Sequence, residues 1–498
     1  MSKDSDSAQS RSPLRSVTRG ASLFIAGKGV NNALRFLINF LLTNGLGTTL
    51  YGIYALGNTI MTLSYALANL GTDQSVLRFI PEYEGDRTDQ NRVLGLASLT
   101  SLAGGVLVAA VLYVLAPTIT EVTLEDPLLT DVIRLFAAIL PVNTLINIVK
   151  SLFKSLELPE YQVLLENILP AIRLVVVGVA LFVGASVVGV VAAIVVGFVL
   201  SFGFAVMLAV PRTSIRPTLG SSTDEIIEFY DFSLPLTISQ MGTVLQRRID
   251  VLMVGFFLSG SAVGIYNLAS VLSNFLLLPL TAFSQLFPPI ASRLYANGDY
   301  EKLESLYTRV TRWAFTLALL PVLGLGLYTG EVLAMFGEDF PAGSAVLSLF
   351  VLGQLTNAAV GPSGYVLMMT GHQYLSLVNE WLLGVLNVAL NYIFIIQFGF
   401  IGAAVATAGT LTAINLLRIA EVWYTERLFP YSWKFVKPVL AGLAAGVVMY
   451  ALRFVLADFW LLLGGGIAGA VVFTATLFVL GIEREDREFF ATVLPIDG

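Results

Sequence analysis

The stretch VLQRRIDVLMVGFF, residues 244–257, carries Arg247, Arg248 and Asp250 in the middle of an otherwise apolar run. Two guanidiniums and a carboxylate can pair with each other or hold an anion. Arginine suits the second role, because it stays charged when dehydrated and grips phosphate through two parallel N–H groups. A charge at the centre of a lipid-facing helix costs roughly 2.5–3.5 kcal/mol on insertion scales, so three uncompensated charges would cost on the order of 8–10 kcal/mol. They must therefore face a partner or a hydrated cleft. Arg247 and Asp250 are spaced i, i+3, which predicts an ion pair on one helix face. Arg248 points about 100° away and needs something else.

Other apolar runs carry similar groups: Lys28 and Arg35 in the first, Glu166 and Arg173 in the fifth, Glu380 in the eleventh. Seven residues separate Lys28 from Arg35, which places both on one face about 10 Å apart. Glu166–Arg173 and Arg247–Asp250 are expected to be structural ion pairs. Lys28, Arg35 and Arg248, with Arg173 and Arg247 beside them, make a candidate cationic cleft. Five cations against the three acids Asp250, Glu166 and Glu380 leave 5 − 3 = +2. That excess suits an anionic cargo such as a lipid phosphate or diphosphate.

Several chemistries are excluded or disfavoured. There is no cysteine, hence no disulfide, thiolate nucleophile or Cys-ligated zinc, and the single histidine, His372, lies in the turn TGHQY. No metal or cofactor is expected. The glycines of VLGLGLYTG and LLGGGIAGA lie inside apolar runs and read as small-residue helix packing rather than nucleotide loops. There is no Walker loop to use ATP. A non-enzyme is expected.

The elements that position these charges are membrane helices. With 56% hydrophobic and 12% charged residues and a mean hydropathy of +0.80, the 498-residue chain cannot cover its own surface in water. Apolar runs of about 20 residues, the length that spans a bilayer core, recur throughout. About fourteen spans are predicted: 20–43, 48–70, 93–116, 131–152, 162–184, 187–210, 232–258, 262–290, 306–328, 343–370, 374–397, 401–424, 436–456 and 459–481. Pro170 is expected to break the fifth and Gly361-Pro362 to kink the tenth. Alternate connections are rich in Arg and Lys, including one assigned Lys150 and Lys154, while the intervening ones, such as NGLGTT and QFGF, have none. The positive-inside rule then places both termini in the cytoplasm. The polar residues 1–19 and 483–498 are expected to be cytoplasmic tails, the first mobile and neither signal nor transit peptide.

Shifted by 212 positions, RFLINFLLTNGLGTTLYGIYAL (35–56) overlies RRIDVLMVGFFLSGSAVGIYNL (247–268) without a gap. Arg35 meets Arg247, and Gly52-Ile53-Tyr54 meets Gly264-Ile265-Tyr266. The offset equals six spans, so the halves share one orientation, a parallel repeat about an axis along the membrane normal. The expected fold is an all-α polytopic membrane protein: two pseudo-symmetric six-helix lobes, 20–220 and 221–430, plus two helices in 431–482.

RRIDVLMVGFFLSGSAVGIYNLA (247–269), MFGEDFPAGSAVLSLFVLGQLTNAAVGPSGYVLMMTGHQ (335–373) and LGTDQSVLRFIPEYEGD (70–86) together resemble the polysaccharide-biosynthesis flippases, which share a superfamily with multidrug and toxin extruders. The third stretch is read as the loop after the second helix. The resemblance implies an alternating-access flippase in the cell membrane that moves a lipid-phosphate-linked sugar to the outer leaflet. It implies glycosyltransferases and membrane lipids as partners, no nucleic acid, and a cationic cavity carried by Lys28, Arg35, Arg247 and Arg248, with Arg173. The multidrug branch places a carboxylate deep in its first or seventh helix. Asp250 keeps the alternative of a cation-coupled drug exporter open. A sequence pI of about 5.1, with mostly Arg among the basic residues, points to a salt-adapted archaeal source and a dolichyl phosphate carrier.

Overall fold

The computed structural model describes the backbone of residues 11–481 and the side chains of 27–481 apart from those of residues 285 and 286. The tail segments 1–10 and 482–498 lie outside the described residues. Among the described residues every regular element is helical, and eleven helices are long and apolar enough to cross a membrane. The chain is an all-α polytopic membrane protein.

In chain order the helices are α1 (Arg11–Ala68), α2 (Thr72–Glu82), α3 (Arg87–Glu121), α4 (Pro127–Ser155), α5 (Pro159–Phe182), α6 (Val187–Arg212), α7 (Thr223–Phe257) and α8 (Gly260–Asn274). Then follow α9 (Leu278–Ala296), α10 (Tyr300–Leu327), α11 (Thr329–Ala334), α12 (Ser344–Val360), α13 (Ser363–Met369), α14 (Gln373–Glu426), α15 (Val436–Leu452) and α16 (Asp458–Val479). Two of the eleven apolar helices are each a pair joined end to end. α1 turns at Gly47 (φ 69°, ψ −179°) and α14 at Gly399 (φ 60°, ψ −144°), both inside the expected connections NGLGTT and QFGF. A Cβ disfavours that combination, so glycine sets the place of each break. Gly361 (φ 65°) likewise ends α12 before Pro362, at the expected kink.

Four local expectations are corrected. α1 begins at Arg11, so residues 11–19 are helical rather than a mobile tail. The segment 70–86 is not only a loop, because α2 forms within it. Val76, Phe79 and Ile80 recur at helical spacing and are buried with Leu94, Ile148 and Phe229. α7 starts at Thr223, nine residues before the expected 232, where Ser222 and Glu225 close a capping box. α5 runs through Pro170 without a break. Proline at position 170 deprives the Glu166 carbonyl of its intrahelical donor, and the Asn31 side-chain amide of α1 donates to that carbonyl instead.

By packing, the chain divides into residues 1–267 and 268–498, with the boundary inside α8. These units describe density of contact, whereas the expected lobes describe internal symmetry. In the first unit the two copies of the repeated motif pack against each other. A Cβ on Gly52 would fall on the Gly260 carbonyl and 2.9 Å from the Gly264 nitrogen, and one on Gly264 would meet the Thr48 carbonyl oxygen. The matched glycines thus let α1 and α8 approach backbone to backbone. At the N-terminal end of α7, Arg92 pairs with Glu225 (3.3 Å) and Arg78 with Glu228 (3.9 Å), so those connections share one face. In the second unit, α10, α15 and α16 share a core of Phe315, Leu319, Ala441, Ala445 and Phe473. Arg453 there lies on a connection that the loop-charge alternation had no place for. It pairs with Glu331 at 2.8 Å, which puts the α15–α16 and α10–α12 connections on one face.

Gly52→Ala and Gly264→Ala should each force the α1–α8 crossing apart and destabilise the protein by roughly 1–3 kcal/mol, as overpacking does. The check is thermal unfolding of the purified protein in detergent. Gly203→Ala, where a Cβ meets nothing within 4 Å, serves as the neutral control.

Candidate cationic site in the N-terminal unit

The polar groups of the first unit gather where α1, α5, α7 and the start of α8 meet. Arg35 donates through Nε to Asn31 Oδ1 one turn earlier (2.7 Å), and its own carbonyl accepts from Asn39 Nδ2 (2.8 Å). Its charged neighbours are Arg173 of α5, Arg248 of α7 and Glu166 of α5. Three of the five expected cations are therefore brought together. Arg35 lies 47 − 35 = 12 residues before the α1 turn at Gly47, roughly 18 Å along the helix at 1.5 Å per residue. Arg248 lies 257 − 248 = 9 residues before the end of α7, roughly 14 Å. Both arginines lie well inside their helices.

Neither expected ion pair forms. Asp250 is buried, and its Oδ2 accepts from the Tyr266 hydroxyl at 2.9 Å while Oδ1 accepts from the Val251 N–H at 2.8 Å. Arg173 Nη2 donates to the Tyr54 hydroxyl at 2.9 Å, and its guanidinium lies 5.8 Å from the centre of the Phe198 ring. Glu166 Oε1 accepts from Gln162 Nε2 at 2.9 Å. The physical reason is proximity between helices. The Gly52–Gly264 crossing carries Tyr54 and Tyr266, the last residues of the two GIY motifs, into the polar layer. A neutral hydroxyl satisfies a buried charge without bringing a second ion out of water. Tyr51 completes the layer, donating to Asn39 Oδ1 (2.8 Å) and accepting from Asn267 Nδ2 (3.0 Å). The repeat thus places one tyrosine on an arginine and its equivalent on a carboxylate.

The remaining expected residues fall elsewhere. Lys28 and Arg247 are exposed, and Arg247 has no hydrogen bond among the described residues. Glu380 belongs to the second unit, on α14, where its Oε1 accepts from Arg418 Nη2 at 2.8 Å. His372 lies beside Glu426 at 3.3 Å. Lys150 is an addition. Assigned by sequence to a connection, it sits half-buried on α4 with Glu166 and Arg35 as its charged neighbours. The available signal was the expected span 131–152, which already contained position 150. Tyr54 and Tyr266 were visible only as repeat markers.

The fold is similar to that of the lipid II flippase MurJ in an inward closed conformation, with a TM-score of 0.75 at 14% identity over 92% of this chain and 98% of that chain. It is also similar to an inward-facing multidrug resistance MATE family transporter of the MOP superfamily, with a TM-score of 0.67 at 17% identity over 80% and 94%. By sequence the chain belongs to the polysaccharide biosynthesis protein family, whose model matches residues 17–293. It is 32% identical over 177 residues to a probable flippase, AglR, of Haloferax volcanii. That match takes in 34% of this chain and 37% of AglR, so it spans little more than a third of that relative.

Asn31→Ala should leave the Glu166 carbonyl without a donor and cost about 1–3 kcal/mol, the penalty of an unsatisfied buried polar group. Adding Pro170→Ala restores the intrahelical N–H and should recover the part of the loss due to the Glu166 carbonyl, while Arg35 Nε stays without its Asn31 acceptor. Unfolding temperatures of the single and double variants check both statements.

Proposed function

We propose that this protein is a flippase that moves a lipid-phosphate-linked sugar from the cytoplasmic to the outer leaflet by alternating access. The observation that carries the reading is the grouping of Arg35, Arg173 and Arg248 at mid-helix depth, with the nearby acid Asp250 held by Tyr266 rather than by an arginine. Cations satisfied by weak neutral acceptors remain available to a stronger one, and a phosphodiester supplies it. Membership in the polysaccharide biosynthesis family and the flippases among the similar proteins support the same reading.

Several finer features belong to this proposal. α7 is a further span, its apolar run interrupted by Arg247, Arg248 and Asp250. With the two bent helices α1 and α14 counted twice, this gives 11 + 2 + 1 = 14 spans. Both termini then lie in the cytoplasm of a plasma-membrane protein, and the two lobes are related by the 212-residue repeat. Lys28 and Arg247, exposed and on the same helices as Arg35 and Arg248, extend the cationic site. Glycosyltransferases supply the substrate, membrane lipids surround the protein, and neither nucleic acid nor catalysis is involved. The AglR match to a haloarchaeon supports a dolichyl phosphate carrier and a role in surface glycosylation.

A second reading, a cation-coupled multidrug exporter, is favoured by the burial of Asp250 in α7. Export of amphipathic cations whose dependence on Na⁺ or pH disappears in Asp250→Asn would support it over the first.

Arg35→Ala should slow flipping on the order of 10- to 100-fold at matched membrane abundance, the loss of one charge-assisted contact worth roughly 1.5–3 kcal/mol in a partly hydrated site. Arg35→Lys keeps the charge without the planar fork and should fall between wild type and alanine. The measurement is leaflet-resolved transfer of a lipid-linked sugar in proteoliposomes. An unchanged rate in Arg35→Ala would remove the arginine from the transport path.

A further inference from the structure

Lys150 is a half-buried ammonium with neither a hydrogen bond nor an ion pair within 4 Å among the described residues. Its charged neighbours, Glu166 and Arg35, are those of the cationic site. Each acid of the site is already engaged by a neutral donor, Glu166 by Gln162 and Asp250 by Tyr266. Among the cations, Arg35 and Arg173 hold neutral acceptors, Arg248 holds none, and the Nε of Arg173 is buried without a partner. Lys150, Arg35, Arg173 and Arg248 against Glu166 and Asp250 leave 4 − 2 = +2. Lys150 lies nearest a helix end: it is 155 − 150 = 5 residues before the end of α4, roughly 7 Å. On the loop-charge topology that end is cytoplasmic, so Lys150 is displaced from the mid-helix arginines toward the cytoplasm.

We propose that Lys150 is a second anion-binding residue of this site and that the substrate carries two negative charges, one at the lipid phosphate and one on a further oxyanion. This rests on the flippase reading. The arginine group takes the lipid-proximal phosphate. The ammonium, a compact point charge with three donors, takes the second oxyanion whatever its geometry. A second phosphate of a diphosphate linkage and the carboxylate of an acidic sugar both present that chemistry. A substrate with a single phosphodiester charge leaves the site with 2 − 1 = +1.

The test is equilibrium binding of three short-chain probes to the purified full chain in nanodiscs: farnesyl-phosphate-glucose with one charge, farnesyl-diphosphate-glucose with two, and farnesyl-phosphate-glucuronate with two. Wild type should bind at least one dianionic probe about tenfold more tightly than the monoanionic one, and the preferred probe identifies the source of the second charge. Lys150→Gln should weaken the preferred dianionic probe about tenfold more than the monoanionic one and so abolish that preference, and Lys150→Arg should retain it. Lys154→Gln, at an exposed position on the same helix, should change nothing. Equal affinity of wild type for all three probes overturns the proposal, as does a dianion preference that survives Lys150→Gln. Arg35→Ala separates the two levels. Weakened binding of all three probes upholds the phosphate site irrespective of Lys150, whereas unchanged binding of all three removes the flippase reading and this inference with it.

Discussion

The constraint on which the rest depends is the cost of a charge inside an apolar helix bundle. Such a charge needs a partner, and a partner of opposite sign cancels its use. Here the partners are mostly neutral. Tyr266 holds Asp250, Tyr54 holds Arg173, Asn31 holds Arg35 and Gln162 holds Glu166. Each hydrogen bond lowers the penalty of burial without consuming the ionic charge. The result is a layer that is stable enough to fold yet remains net cationic.

That arrangement depends on how closely α1 and α8 approach. The repeated GIY motifs bring their glycines into backbone contact, and the tyrosines that follow are carried to the level of the arginines. The same helix α1 supplies Asn31, whose amide caps the Glu166 carbonyl opened by Pro170 and whose carbonyl oxygen accepts from Arg35. One asparagine therefore joins the backbone integrity of α5 to the orientation of Arg35. Local backbone repair and site chemistry are coupled through it, so changes at Asn31 act on both.

The two bent helices and the kink after α12 show how glycine divides an apolar chain. Gly47, Gly399 and Gly361 all take positive φ, and each lies where the pattern of short uncharged connections or a following proline marks a break. Pro170 is the instructive contrast. Proline removes a hydrogen bond, but whether the helix breaks depends on what stands beside the freed carbonyl. α2 is a second contrast: it lies between two spans, where a connection is expected, yet the apolar spacing of Val76, Phe79 and Ile80 is helical.

The sequence alone determined the solvent, the helical class, the turns at NGLGTT and QFGF, the repeated GIY stretch, and the presence of charges too costly to face lipid. Those follow from composition, periodicity and residue type, which are local properties. Which charge meets which partner is not local. The i, i+3 spacing of Arg247 and Asp250 permits a pair, and the seven-residue spacing of Glu166 and Arg173 places both on one face. A tyrosine from another helix competes with each and holds the charge at 2.9 Å. Lys150 joined the site for the same reason: its place on α4 sets it beside Glu166 and Arg35, neither of which is near it in sequence. Tertiary structure decided these pairings because the partners come from separate helices, and the backbone contact at Gly52 and Gly264 brings Tyr54 and Tyr266 to the charges they hold.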